Sequence, residues 1–224
     1  MFETNASPTR RGFFWTAAAA AGTAFTARGA FAEELTRTPT ANEGPFYPTK
    51  LPLDTDNDLL VLNDALTPAV GEVTHLSGRL LDATGAPLRN AVIEIWQCDS
   101  NGTYLKQHTQ GGAKFDTNFQ GYGRFLTSST GEYYFRTIKP VPYRGRPAPH
   151  IHARIWKGSK KLLTTESFVK GHGTNEQDGQ FKQIRSRDPK GHATLCLDYV
   201  PVPGSKAGEL AAKWDIVLGY TPEG

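Results

Sequence analysis

An all-β fold, an antiparallel β-sandwich of about eight strands with an extended N-terminal arm and few helices, is what this 224-residue sequence predicts. Three observations carry that reading. From Val73 onward the chain breaks into short alternating or β-rich runs: VTHLSGRLLD, AVIEIWQCD, GYGRFLT, EYYFRTI, HIHARIWK, KLLTTESFV, ATLCLDYV and WDIVLGY. Turn signals such as ATGAP, DSNG and SSTG separate them. Glycine and proline, 23 and 15 residues, exceed ordinary usage without the period of collagen or the bias of a low-complexity chain. With 38% hydrophobic residues the chain can bury a core, which excludes disorder and a disulfide-stapled mini-protein. Alternation is clean in VIEIW and HIHARIW, so those strands should bury one face. SKAGELAAK is the only brief helical candidate.

The elements divide the chain into three parts. Residues 1–32 read as an export signal. Arg10-Arg11 end a charged stretch, an apolar run from Gly12 to Ala27 is too short to span a membrane, and Ala30-Phe31-Ala32 offers an A-x-A cleavage site. The paired arginines before Gly-Phe-Phe resemble a twin-arginine signal, so an exported protein, periplasmic or secreted, is expected. Residues 33–72 are rich in Pro, Asp, Asn and Thr without a sustained period, which suits an extended arm. Residues 73–224 form the sandwich domain. Removing Arg10, Arg11, Arg28 and Glu3 turns the net charge of +3 into 22 basic against 21 acidic residues. Nucleic acid is therefore not an expected partner, and no later apolar run supports stable membrane insertion. Exposed sandwich edges and the long arm allow a homodimer. Cys98 and Cys196 sit in strand-like runs and read as structural, with a disulfide between them left open.

The sharpest chemical feature is His150-Ile151-His152. On a strand, residues i and i+2 share a face at roughly 7 Å, so both imidazoles can converge on one metal while Ile151 turns to the core. Two histidines on a solvated face are the plainer explanation of an isolated H-x-H. Its company changes the balance. Tyr143 lies seven residues earlier in KPVPYRGRPAPHIH, a stiff loop with four prolines, and Tyr104 follows a strand end and turn in IEIWQCDSNGTY. A phenol with an ordinary pKa near ~10 becomes a good ligand only beside a strongly acidic cation. Phenolate with imidazole suits ferric iron better than it suits Zn(II).

These blocks, EGPFYP, GRLLDATGAPLRNAVIEIWQCDSNGTY and GRFLTSSTGEYYFRTIKPVPYRGRPAPHIH, together resemble the intradiol ring-cleavage dioxygenases, with most likeness to the single-domain branch of the protocatechuate 3,4-dioxygenase beta subunit. The resemblance covers residues 42–171 and thins beyond. It implies a non-haem Fe(III) cofactor held by Tyr104, Tyr143, His150 and His152, with Tyr143 leaving the metal to take up a substrate proton. The implied reaction inserts both atoms of O2 between the hydroxylated carbons of a catechol-type substrate and gives a muconate-type diacid.

The match departs from the family in three places. The family's arginine three residues before the first metal histidine is Pro147 here. The role falls to Arg146, with Arg144 as competitor. The loop from Tyr143 to His150 is shorter than usual, and Glu166 in LTTESFV stands where the family has glutamine. Glu166 either meets the site, where it would disfavour an anionic substrate carboxylate, or points to solvent. Tyr47 is a candidate wall of the substrate site, and His108 is a candidate donor behind Tyr104. His75, His172 and His192 lie in no recognisable site, and Trp96 and Trp156 read as core fillers. Two other readings stay open: a His150, His152 and Glu166 site for Fe(II) or Zn(II), and a secreted sandwich that binds a partner without catalysis.

Overall fold

Ten strands pack as two five-stranded sheets in the computed structural model, which describes residues 35–52, 54–62, 67–111 and 114–222. The expected export signal, residues 1–32, lies outside the described residues. The first sheet centres on β1 (Val73–Leu81), which pairs antiparallel with β4 (Glu132–Ile138). It also pairs parallel with both β9 (Leu210–Lys213) and β10 (Ile216–Val217), and β8 (Tyr199–Pro201) joins β9. The second sheet runs β3 (Tyr122–Leu126), β2 (Val92–Trp96), β5 (His150–Lys157), β6 (Lys160–Val169) and β7 (Cys196–Leu197). It is antiparallel except where β6 meets β7. Of the expected antiparallel sandwich of about eight strands, the β-rich fold with few helices holds, but its ten strands form two mixed sheets with three parallel pairings.

Two further differences concern the C-terminal third. GQFKQIRSR and PKGHATL are helices, α2 (Gly179–Arg187) and α3 (Pro189–Leu195), so of the strand expected over ATLCLDYV the first three residues are helical and only the part from Cys196 is strand. Asp178 caps α2 by accepting the Phe181 N–H at 2.9 Å, and Asp188 caps α3, with Pro189 at its first position. Conversely, the end of SKAGELAAK is β9: its alternate residues Leu210 and Ala212 are buried against β1, which overrides their helical preference. The short α1 (Leu105–Thr109) follows Tyr104.

The sandwich core takes Leu76 and Leu80 from β1, Phe135 from β4, Ile93 and Ile95 from β2, and Ile151, Ala153 and Ile155 from β5, and α2 adds Phe181 and Ile184. The other face of β2 and β5 carries Glu94, Trp96, His150, His152 and Arg154, and all five are buried as well. So these strands bury both faces rather than one. The arm and the loops that carry Tyr104 and Tyr143 pack over this polar face. The arm is tied down by Thr38 N–H to Val217 O at 3.0 Å, Ala41 N–H to Thr164 O at 2.9 Å, and a Glu43–Arg154 ion pair. A polar strand face withdrawn from water is costly unless its groups are paired, so this face is where function is sought.

Candidate metal centre

Alternation along β5 puts His150 and His152 on that face, and cross-strand register puts Trp96 and Glu166 on either side of His152. The two imidazoles meet through Nε2 atoms 3.2 Å apart, and the Tyr104 hydroxyl stands 3.3 Å from His150 Nε2. His150 Nδ1–H donates to Ala148 O at 2.7 Å, which leaves its Nε2 lone pair directed at the other two atoms. Donors about 2.1 Å from one cation and at near-tetrahedral or octahedral angles are separated by roughly this much. Tyr143 completes the group, its ring centroid 5.2 Å from Tyr104 and 5.6 Å from His150.

The loops explain why these tyrosines stand there. Asp99 is buried and accepts from Asn101 N and Thr103 N, both at 2.9 Å, and from Asp116 N, folding DSNGT into the turn that delivers Tyr104. Gly102 has φ +75°, and a Cβ on it would lie 3.2 Å from Tyr143 Cβ, so only glycine lets the two tyrosine loops approach this closely. Tyr143 and Arg146 close their own turn by mutual backbone bonds of 3.2 and 3.0 Å across Gly145. Arg146, Glu166, Tyr104, Tyr143, His150 and His152 thus come together. Arg144, at the turn's tip, is exposed. Tyr47 is drawn off: its hydroxyl donates to Glu94 at 3.1 Å and Arg154 lies 3.6 Å over its ring.

Burial dominates the electrostatics. It raises the Tyr104 phenol well above its ordinary value and Tyr143 up to about 12. It also lowers His150 to about 3 and pushes His152 well below the usual histidine range. Neutral imidazoles are ready ligands, and a cation at their meeting point would draw the phenols the other way, toward phenolate. Burial pushes the Glu166 carboxyl up to about 7 against the pull of Arg146. His150, His152 and Glu166 can offer ligand atoms within 4.8 Å of one another. However, both Glu166 oxygens are held by Arg146, at 3.0 and 3.3 Å, and Arg146 Nε in turn donates to Asp178 at 2.7 Å. With both Glu166 oxygens engaged, the phenols of Tyr104 and Tyr143 are the further candidate donors beside the two imidazoles.

Several residues of this region gain their role only from the fold. Phe46, rather than Tyr47, stacks on Tyr104 at 4.8 Å, and Gly44 passes within 3.7 Å of the His152 ring, measured to a Cβ built on it. Trp96 stacks on His152, with centroids 4.9 Å apart and planes 5° apart, so it backs a ligand rather than the sandwich core. Glu94 accepts Tyr122, Trp156 and Tyr47, an arrangement hidden in the alternating run VIEIW. Trp156 therefore serves this network as well. His108 stacks on Phe115. Cys98 and Cys196 are free thiols. A cavity of about 510 Å³ elsewhere on the molecule is lined by Ser77, Arg79, Phe125, Tyr134 and Lys213, none of them a site residue.

A β-sandwich with a buried cluster of two histidines and two tyrosines under an N-terminal arm defines a metal-binding protein of the dioxygenase type. A family model described as Dioxygenase matches residues 42–155, and the chain belongs to the intradiol dioxygenase family. The beta chain of protocatechuate 3,4-dioxygenase from Burkholderia cepacia is 43% identical over 111 residues, covering 46% of each protein. The dioxygenase domain of a dioxygenase carbohydrate-binding protein fusion from Streptomyces sp. SirexAA-E is 25% identical, with TM-score 0.60 over 83% of this chain and 99% of that one. An intradiol ring-cleavage dioxygenase from Tetranychus urticae shares the fold, with TM-score 0.65 at 20% identity over 85% and 98% of the two chains. The chain spans about half the length of the curated relatives it matches.

Proposed function

We propose that this protein is a non-haem Fe(III) intradiol dioxygenase that inserts both atoms of O2 between the hydroxylated carbons of a catechol. The observation that carries the reading is the convergence of Tyr104 Oη with the Nε2 atoms of His150 and His152, with Tyr143 alongside. Tyr104, Tyr143, His150 and His152 would hold the ferric ion, which would supply the Lewis acidity that favours a deprotonated catechol. Tyr143, half-buried, would act as the base: burial raises its pKa, so its phenolate, formed beside the cation, would readily accept a substrate hydroxyl proton. Arg146 supplies the positive charge that faces the ring, held in place by Glu166 and Asp178. Phe46 and Trp96 cover the ligands and keep water out. Glu166 opposes a carboxylate on the substrate, so catechols without a ring carboxylate are the favoured class.

Colour tests the centre. Iron-loaded protein is expected to be red-brown from phenolate-to-iron charge transfer, and Tyr104→Phe or Tyr143→Phe to lose most of that band. A colourless protein with one iron per chain contradicts the reading and moves a His150, His152 and Glu166 centre ahead. Export by residues 1–32 belongs to the same proposal, resting on the twin-arginine-like start. N-terminal sequencing of protein recovered outside the cytoplasm is expected to begin at Glu33, and an uncleaved chain there would contradict it. Self-association through an exposed strand edge completes the proposal, with sedimentation at two concentrations as its check.

A further inference from the structure

The two histidines differ in what stands behind them. His150 Nδ1 has a neutral carbonyl partner, Ala148 O at 2.7 Å. His152, with Nε2 turned to the same centre, must carry its proton on Nδ1. That atom is buried and has no hydrogen-bond partner. The group facing it is Glu166, directly opposite on β6, with Oε2 at 3.8 Å. We propose that Glu166 is a positioning residue for the metal centre: its carboxylate accepts the His152 Nδ1–H and makes that imidazole the stronger of the two histidine ligands.

The 3.8 Å separation is longer than a hydrogen bond, and the His152 Nδ1–H has no other partner. Glu166 is well placed to receive it. Arg146 grips both of its oxygens, Asp178 grips Arg146, and Asp178 is itself fixed at the start of α2 by the Phe181 N–H. The chain of contacts thus runs from a helix cap to a metal ligand. Charge supports it as well. Two buried carboxylates with one guanidinium leave the trio at −1, which is costly in isolation. A ferric ion with two phenolates carries +1, so the trio and the centre together are neutral. A carboxylate behind a metal-bound imidazole raises its basicity and orients its ring.

The inference rests on the metal-centre reading above, and its test separates the two. Glu166→Gln keeps the size of the side chain and removes its charge. With His152 a weaker donor, iron-loaded E166Q is expected to show its charge-transfer band at longer wavelength, a higher Fe(III)/Fe(II) potential and roughly 10-fold weaker iron binding. Band and potential equal to wild type, with iron bound, would overturn the proposal. If E166Q holds no iron, ring nitrogen NMR of the metal-free proteins decides. Wild-type His152 is expected as the Nδ1–H tautomer with that proton far downfield, moved upfield in E166Q; an Nε2–H tautomer, or a proton that does not move, overturns it. A colourless iron-loaded wild type counts against the phenolate centre, and the NMR comparison still reads Glu166.

Discussion

Gly102 shows how much a single position can carry. Its φ of +75° and the 3.2 Å approach of Tyr143 Cβ penalise any side chain there. Gly102→Ala is expected to cost about 1–2 kcal/mol in chemical denaturation and to push Tyr143 away, so its iron form loses colour as well as activity. Glu94 is a different kind of residue, a carboxylate only 4% exposed that accepts from Tyr47, Tyr122 and Trp156. Glu94→Ala strands three donors and should destabilise by about 3 kcal/mol, with thermal unfolding as the measurement. The H-x-H pair was legible as a metal candidate from its spacing, and the two tyrosines as ligands through the family blocks that carry them. Glu94 and Phe46 were not, since an alternating Glu and an arm aromatic gain meaning only from what covers them.

Helix α2 joins stability to the site through Asp178. Burial alone would raise this carboxyl, but the bond from Arg146 and the Phe181 N–H outweigh it and hold it below the usual range. A depressed folded pKa means the stabilisation is complete above about pH 4 and is lost as the pH falls through the folded value. Asp178→Ala removes both cap and ion-pair partner, with an expected loss of about 2–4 kcal/mol. Asp178→Asn retains a good cap and should cost less, about 1–2 kcal/mol, while flattening the acid limb of the stability curve. Denaturation of both variants from neutral pH into acid checks the pair. Helices α2 and α3 escaped the sequence reading because only Phe181 and Ile184 mark the buried side of α2, too few for a period. Their signal was in the caps, Asp178 and Asp188-Pro189.

At the scale of the molecule, the fold's main device is a strand face made of polar residues and then covered. The sandwich follows from alternating runs, but the parallel partners of β1 come from distant segments, and their pairing is set by packing rather than by local pattern. The arm matters for the same reason: Phe46 on Tyr104, Tyr47 on Glu94 and Glu43 on Arg154 seal the centre. Phe46→Ala is therefore expected to leave the fold intact and to speed removal of iron by a chelator, measured as loss of the visible band with time. The central claim is the reaction itself. Iron-loaded protein given a catechol under isotopically labelled O2 is expected to yield one muconate-type diacid carrying both labelled oxygen atoms, from cleavage between the two hydroxyls. Cleavage beside the hydroxyls, or no oxygen uptake by fully iron-loaded protein across a panel of catechols, would contradict it.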